Sequence, residues 1–279
     1  KAIGGGMIRI GIVGCGAIGS ALAKAIDRDD ANVARVVALA EQDHARARIL
    51  SQSLRSRPAV VSLPQLIRRS DLVIEAAAAS ISARVAQLAL SAHREVLIMS
   101  TGGLLRAPAS WRRAAGRSRG RLHIPSGALC GVDGIKAMAV GTIRRIRLTT
   151  RKPPRALATA PFVLANRLRL AHLRGPRLVF EGSPADVVKG FPQNTNVAAT
   201  MLLASTAPGS RRLKTTVRVV ADPGLRTNVH ELEVEGDCGR LSVRVESRPS
   251  QANPKTSELA IRSALATVRQ LLTPIRVGT

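Results

Sequence analysis

The residues Gly14-Cys15-Gly16-Ala17-Ile18-Gly19 have the types and spacing to hold a phosphate. They follow a β-branched run, Ile8 to Val13, and lead into an Ala/Leu stretch compatible with a helix. A glycine at the first position makes a tight turn, one at the third lets a pyrophosphate approach bare backbone, and one at the sixth lets helix and strand pack closely. The phosphate charge then rests on the helix N-terminus. Glycine turns alone are common, and it is the strand before and the helix after that give this one weight. About 20 residues further on, the apolar run VARVVALAE ends in Glu41, where a carboxylate would bind the hydroxyls of an adenosine ribose. The pattern therefore calls for NAD or NADP held by Gly14, Gly16, Ala17, Ile18, Gly19 and Glu41. NAD is favoured, since Glu41 would repel the extra phosphate of NADP, although Arg46 and Arg48 stand close enough in sequence to offset that repulsion.

A second centre of chemistry lies far along the chain. His230 stands in the strand-like stretch TNVHELEVEG, and an imidazole with a pKa near its ordinary value of about 6.5 can take and return a proton at neutral pH. His44, His93, His123 and His172 lie in helical, strand-end or arginine-rich contexts that give no comparable reason. Cys15, Cys130 and Cys238 are far apart and lack metal-ligand spacing, so neither a disulfide frame nor a zinc site is indicated, and a reducing cytoplasm fits best.

Positioning these groups requires two kinds of element. After the first strand and helix the alternation continues through AVVSL, DLVIEAA, EVLIMS and RLHIP, which read as buried parallel strands separated by helices such as ISARVAQLALSAHR. This predicts a Rossmann doubly wound parallel sheet over residues 7–125, with EAAAAS (75–80) and STGG (100–103) lining a groove beyond the strand ends. From Ser126 the pattern changes to period-two alternation in TIRRIRLTTRK, RLVFEG, KTTVRVVAD, VHELEVEG and GRLSVRVESR, with PADVVKGF and NVAATMLLAS as intervening helices. Residues 126–252 thus read as a second α+β domain on a mixed sheet, suited to substrate binding or dimerisation. Residues 253–279 return to the first domain, with 253–272 reading as a helix that has Asn253 as N-cap, Pro254 at the first helical position and Ile261, Leu265, Val268 and Leu272 on one face.

The totals narrow the class. No apolar run approaches the roughly 18 residues of a membrane span, and the residues before Met7 are too short and too polar for a secretory signal. Charge is unusual: 43 Lys and Arg against 18 Asp and Glu give +25, with aromatics at 1%. Such a charge attracts polyanions, but the arginines are scattered and no stacking aromatics interleave them, so no specific nucleic-acid partner is expected.

SGALCGVDGIKA, LTTRKPP, VFEGSPADVVKGFPQNTNVAAT, NVHELEVEG and RPSQANPKTS together resemble, in order and spacing, the motifs of the L-aspartate dehydrogenase family. The resemblance runs from Met7 to about Leu272. It implies oxidation of L-aspartate with NAD or NADP to iminoaspartate, which hydrolyses to oxaloacetate and ammonia and can feed pyridine nucleotide synthesis, in a cytoplasmic homodimer. It places the active-site histidine at His230 and further cofactor contacts at Ala128 and Asn196, so that the bare stretch from Ser126 admits the nicotinamide end of the cofactor. Two substrate carboxylates would need fixed donors, for which Lys152, Lys255 and Thr256 are the candidates. The basic segment RALATAPFVLANRLRLAHLRG departs from the family pattern. Two other readings compete: an oxidoreductase acting on a different amino or oxo acid, and a dinucleotide-sensing module that binds nucleic acid through its basic surface.

Overall fold

A computed structural model describes residues 6–192, 195–206, 213–250 and 256–278. The chain forms two compact units, one running to Pro125 and including Ala260–Val277, the other running from Ser126 to Leu259 and including Gly278.

The first unit alternates strand and helix: β1 (Ile8–Val13), α1 (Ala17–Asp29), β2 (Ala34–Ala40), α2 (His44–Ser53), β3 (Ala59–Val60), α3 (Leu63–Arg69), β4 (Leu72–Glu75), α4 (Ala79–Ser91), β5 (Glu95–Ile98), α5 (Thr101–Arg106), α6 (Ser110–Arg117) and β6 (Leu122–His123). All six strands are parallel, in the order β3-β2-β1-β4-β5-β6. Strands covered by helices on both faces must be apolar on both, and β1, β2 and β4 supply Ile10, Ile12, Leu39, Leu72 and Ile74 to a core with Leu22 and Ile26 of α1. The strand order reverses between β1 and β4, which opens a crevice at their carboxyl ends.

The second unit contains α7 (Val132–Met138), β7 (Ile143–Lys152), α8 (Pro154–Leu157), α9 (Pro161–Ala165), β8 (Arg177–Gly182), α10 (Pro184–Gly190), α11 (Thr195–Ser205), β9 (Lys214–Ala221), β10 (Asn228–Gly236) and β11 (Gly239–Ser247). The five strands follow the order β11-β10-β7-β9-β8, with β7 and β9 parallel and the other pairs antiparallel. Alternation sorts each strand into two faces. Ile146, Leu148, Val217, Val219, Leu232 and Val234 join a core with Ile135, Val187, Ala198 and Met201 of the helices. The opposite face carries cross-strand ion pairs: Arg145 with Glu235 at 2.7 Å, Arg147 with Glu233 at 3.0 Å, and Arg151 with Glu231 at 2.9 Å. Solvent-exposed pairs of this kind add little stability, and their main effect is to fix the register. Phe162, Phe180 and Phe191 cluster with ring centroids 5.2–5.5 Å apart, tying α9, β8 and α10 together.

The last helix, α12, spans Glu258–Leu272, so its start lies beyond the expected position at Pro254. Thr256 and Ser257 are not helical: Ser257 bridges Pro249, and the amide of Glu258 donates to the carbonyl of Arg248. These strand-like bonds delay the first helical turn. Asn253, Pro254 and Lys255 lie outside the described residues. Ile261, Ala264 and Val268 join the core of the first unit, with Leu265 and Leu272 packed against it, because their spacing places them on one stripe.

Candidate active site

The dinucleotide loop is built on the exit from β1. Gly14 has φ +94°, and a Cβ there would lie 2.6 Å from the carbonyl oxygen of Ala76, so only glycine fits this turn. A Cβ at Gly19 would collide with the carbonyl oxygen of Gly14, whereas one at Gly16 would meet nothing within 4 Å. Gly19 thus brings α1 against the turn, and Gly16 leaves one side of the loop open. A cavity of about 690 Å³ lies there, lined among others by Gly14, Gly16, Glu41, Arg46, Ala77 and Ser80. Ala17, Ile18 and Gly19 do not line it; Ile18 packs on the core instead.

Glu41 is tied into this loop. Its Oε2 accepts the amide of Cys15 at 2.8 Å and its Oε1 that of Asp43 at 3.2 Å. Burial pushes its carboxyl up, but the amides of Cys15, Asp43 and Gln42 and the charge of Arg46 outweigh it and hold the group below the usual carboxylate range. Arg46 is paired with Asp43 at 3.3 Å, and Arg48 does not line the cavity. The Cys15 thiol is buried, and burial together with the Glu41 charge pushes it up to about 11.

The loops beyond β4 and β5 meet the expectation only in part. Ala76, Ala77, Ala78 and Ser80 line the groove, but residues 100–103 are buried and do not. They act from below. The Oγ of Ser100 donates to the carbonyl of Ala77 at 2.7 Å, and Glu75 accepts the amides of Ala77 at 2.8 Å and Ser100 at 3.0 Å. Glu75 is fully buried, which pushes its carboxyl up to about 7. Glu75, expected with residues 76–80 to line the groove, is instead buried and anchors the loops beside it.

In the second unit, pairing of β10 with β7 sets His230 opposite Thr150. Thr150 Oγ1 and His230 Nδ1 are 3.0 Å apart, with both residues buried, so the outer nitrogen, Nε2, is left for other work. Lys152 lies two residues along β7 on the same face and is 7% exposed. No hydrogen bond or ion pair to its amine is found among the described residues. Burial pushes the Lys152 amine down to about 8. Burial, and secondarily the Lys152 charge, push His230 down to about 4. At neutral pH the pair is therefore a cation beside a neutral imidazole.

The register extends this polar end of the sheet. The step after Val229↔Arg151 sets Asn228 in the row of Lys152, and β11 adds Val245 beside His230 and Ser247 beside Asn228. The face is apolar through Ile146, Leu148, Leu232 and Val234, then turns polar over its last two rows. Thr150, Asn228 and Ser247 escaped sequence reasoning because only the strand pairing brings them to His230.

Ala128 is buried in the turn closed by the amide of Leu129 on the carbonyl of Ser126. Part of the bareness of this stretch serves packing: Gly131, φ +81°, and Gly134 face Leu241 and Val243 of β11, and Gly131 also meets Leu232, the row next to His230. Asn196 is exposed on α11, and Thr256 is half-buried, its carbonyl accepting the amide of Ser250. No metal-holding group of His, Cys, Asp or Glu occurs among the described residues, and no helix there is long and apolar enough to cross a membrane.

A parallel sheet with an open glycine turn, followed in the same chain by a mixed sheet bearing a buried imidazole and an unpaired lysine, defines a dehydrogenase of the nicotinamide dinucleotide class. The chain matches the family described as aspartate dehydrogenase, C-terminal, over residues 133–271, and homoserine dehydrogenase, NAD binding domain, over residues 14–125. It is 42% identical over 276 residues to an L-aspartate dehydrogenase of Methanosarcina barkeri, covering 98% of this chain and 100% of that one. It is 36% identical over 270 residues to L-aspartate dehydrogenase 3 of Bordetella bronchiseptica, covering 97% of each. The solved aspartate dehydrogenase of Thermotoga maritima superposes with a TM-score of 0.74 at 25% identity, covering 97% of this chain and 99% of that one. The chain belongs to the L-aspartate dehydrogenase family.

Proposed function

We propose that the protein oxidises L-aspartate to iminoaspartate, which hydrolyses to oxaloacetate and ammonia, using NAD in preference to NADP. The observation that carries this reading is the near-complete match to L-aspartate dehydrogenases in a chain whose His230 and Lys152 meet on one buried face. The glycine loop fits a dinucleotide because Gly16 leaves its backbone open beneath the groove. Gly14 and Gly16, which line the groove, would hold the pyrophosphate together with the backbone of Ala17, Ile18 and Gly19 at the start of α1, and Glu41 the adenosine ribose; Ala128 and Asn196 are proposed as further cofactor contacts. The chemistry a bound dinucleotide supplies is acceptance of a hydride from the substrate Cα.

The protein's own groups prepare that substrate. Hydride departure requires an uncharged amine, so a base must remove one ammonium proton. His230 takes this role through Nε2, its Nδ1–H donating to Thr150 Oγ1. Lys152 holds a substrate carboxylate, assisted by Thr256 and Lys255. A carboxylate beside Lys152 cancels the charge that disfavours protonation of His230, so the imidazole becomes a stronger base as the substrate arrives. After oxidation His230 releases that proton to solvent, and the neutral imidazole then takes a proton from the water that attacks the iminium carbon.

NAD preference follows from a carboxylate that stays ionised at Glu41 and from Arg46 being engaged by Asp43. A homodimer in the cytoplasm completes the proposal; for the compartment, two exposed free thiols suit a reducing environment. The test is formation of reduced nicotinamide from L-aspartate, D-aspartate and L-glutamate with each cofactor. We expect turnover with L-aspartate and NAD, and a loss of about 10²- to 10⁴-fold in kcat for His230→Ala, with dinucleotide affinity retained. Near-normal turnover of that variant removes the assigned role.

A further inference from the structure

The polar end of the second sheet holds a buried hydroxyl without a partner and, in the same row, a lysine amine that no protein group among the described residues pairs. Ser247 Oγ is buried and makes no hydrogen bond, and the Lys152 amine has neither hydrogen bond nor ion pair among the described residues. Both lie on the face of His230, one row further toward the sheet end, with Asn228 between them. A buried hydroxyl left unpaired is costly, and its place in one row with an unpaired ammonium is explained by a ligand that pairs both. An ammonium donates only, and the hydroxyl and amide can donate too, so the complementary ligand is an acceptor-only anion with two oxygens.

We propose that Ser247, with Asn228 and Lys152, binds the side-chain carboxylate of the substrate and thereby selects an amino diacid. This rests on the aspartate oxidation proposed above. Adjacent strands lie about 4.8 Å apart, so Lys152 and Ser247 stand across a gap of roughly two strand spacings. The lysine stem spans part of that gap and a carboxylate fills the rest. Two residues along a strand separate this row from His230 by about 6.7 Å. The α-carboxylate shares a carbon with the reacting amine, whereas the side-chain carboxylate is one carbon further away and better able to bridge the rows.

The test compares the wild type with Ser247→Ala and Ser247→Thr. For Ser247→Ala we expect KM for L-aspartate to rise about tenfold, the loss of one hydrogen bond to a charged group, with kcat within about twofold and the dinucleotide KM unchanged. Ser247→Thr, which keeps the hydroxyl, should stay near wild type. Thermal-shift titration with succinate and butyrate supplies a readout independent of turnover: succinate binding weakens in Ser247→Ala and butyrate binding does not. The unliganded melting temperature should not fall, because the deleted hydroxyl had no partner. An unchanged KM and succinate affinity, or equal weakening of succinate and butyrate, overturns the proposal. Absence of aspartate turnover in the wild type would instead defeat the aspartate reading, leaving the succinate comparison to decide the site.

Discussion

Thr150 shows how a single hydroxyl can decide what an imidazole does. His230 is neutral over the physiological range, so its two nitrogens differ only in which carries the proton, and the partner at Nδ1 settles that. Thr150→Val should leave the fold intact while lowering kcat about 10- to 100-fold, as expected for a misplaced reacting group, with Thr150→Ser recovering most of it. Equal kcat in the valine variant would show the contact to be packing only. The same residue has a signature in stability. The unfolded imidazole binds a proton below about 6.5, and the folded one only below about 4, so its contribution is present above 6.5 and lost between 6.5 and 4.

At the scale of elements, the glycine loop separates folding from binding. A side chain at Gly19 has no room against Gly14, but one at Gly16 meets open space. Gly16→Ala should therefore melt within a few degrees of wild type yet raise the dinucleotide Kd at least tenfold, while Gly19→Ala should lose stability outright; thermal melts with and without NAD distinguish the two. This loop was legible in the sequence because all its parts lie within a short stretch and obey local rules. The alternation that separates the buried and charged faces of β10 was legible for the same reason. The row of Lys152, Asn228 and Ser247 was not, since it depends on the register of three strands whose partners lie about 80 and 20 residues apart. The start of α12 is not legible because a proline in a favourable place says nothing of the bridge from Pro249 to Ser257, which keeps Ser257 out of the helix.

Over the whole molecule, basic groups outnumber the acids available to pair them. Glu231, Glu233 and Glu235 are committed to arginines of the second sheet, and the chain still carries a net +25. A field of this sign draws an amino diacid of net charge −1 toward the protein, and salt screens it over about 8 Å at physiological ionic strength. We expect kcat/KM for L-aspartate to fall several-fold between about 20 mM and 500 mM NaCl while kcat holds steady. A salt-independent kcat/KM would mean that the charge plays no part in substrate capture.

The placement of the three thiols gives the protein a built-in division for chemical labelling. Cys15 is sealed beneath the glycine turn and stays protonated at neutral pH, so maleimides should pass it by. Cys130 and Cys238 are open to solvent, one ahead of α7 and the other at the tip of the β10–β11 hairpin. Fluorophores attached without any mutagenesis should thus all reside on the unit that carries His230, leaving the nucleotide loop untouched as they report on substrate arrival.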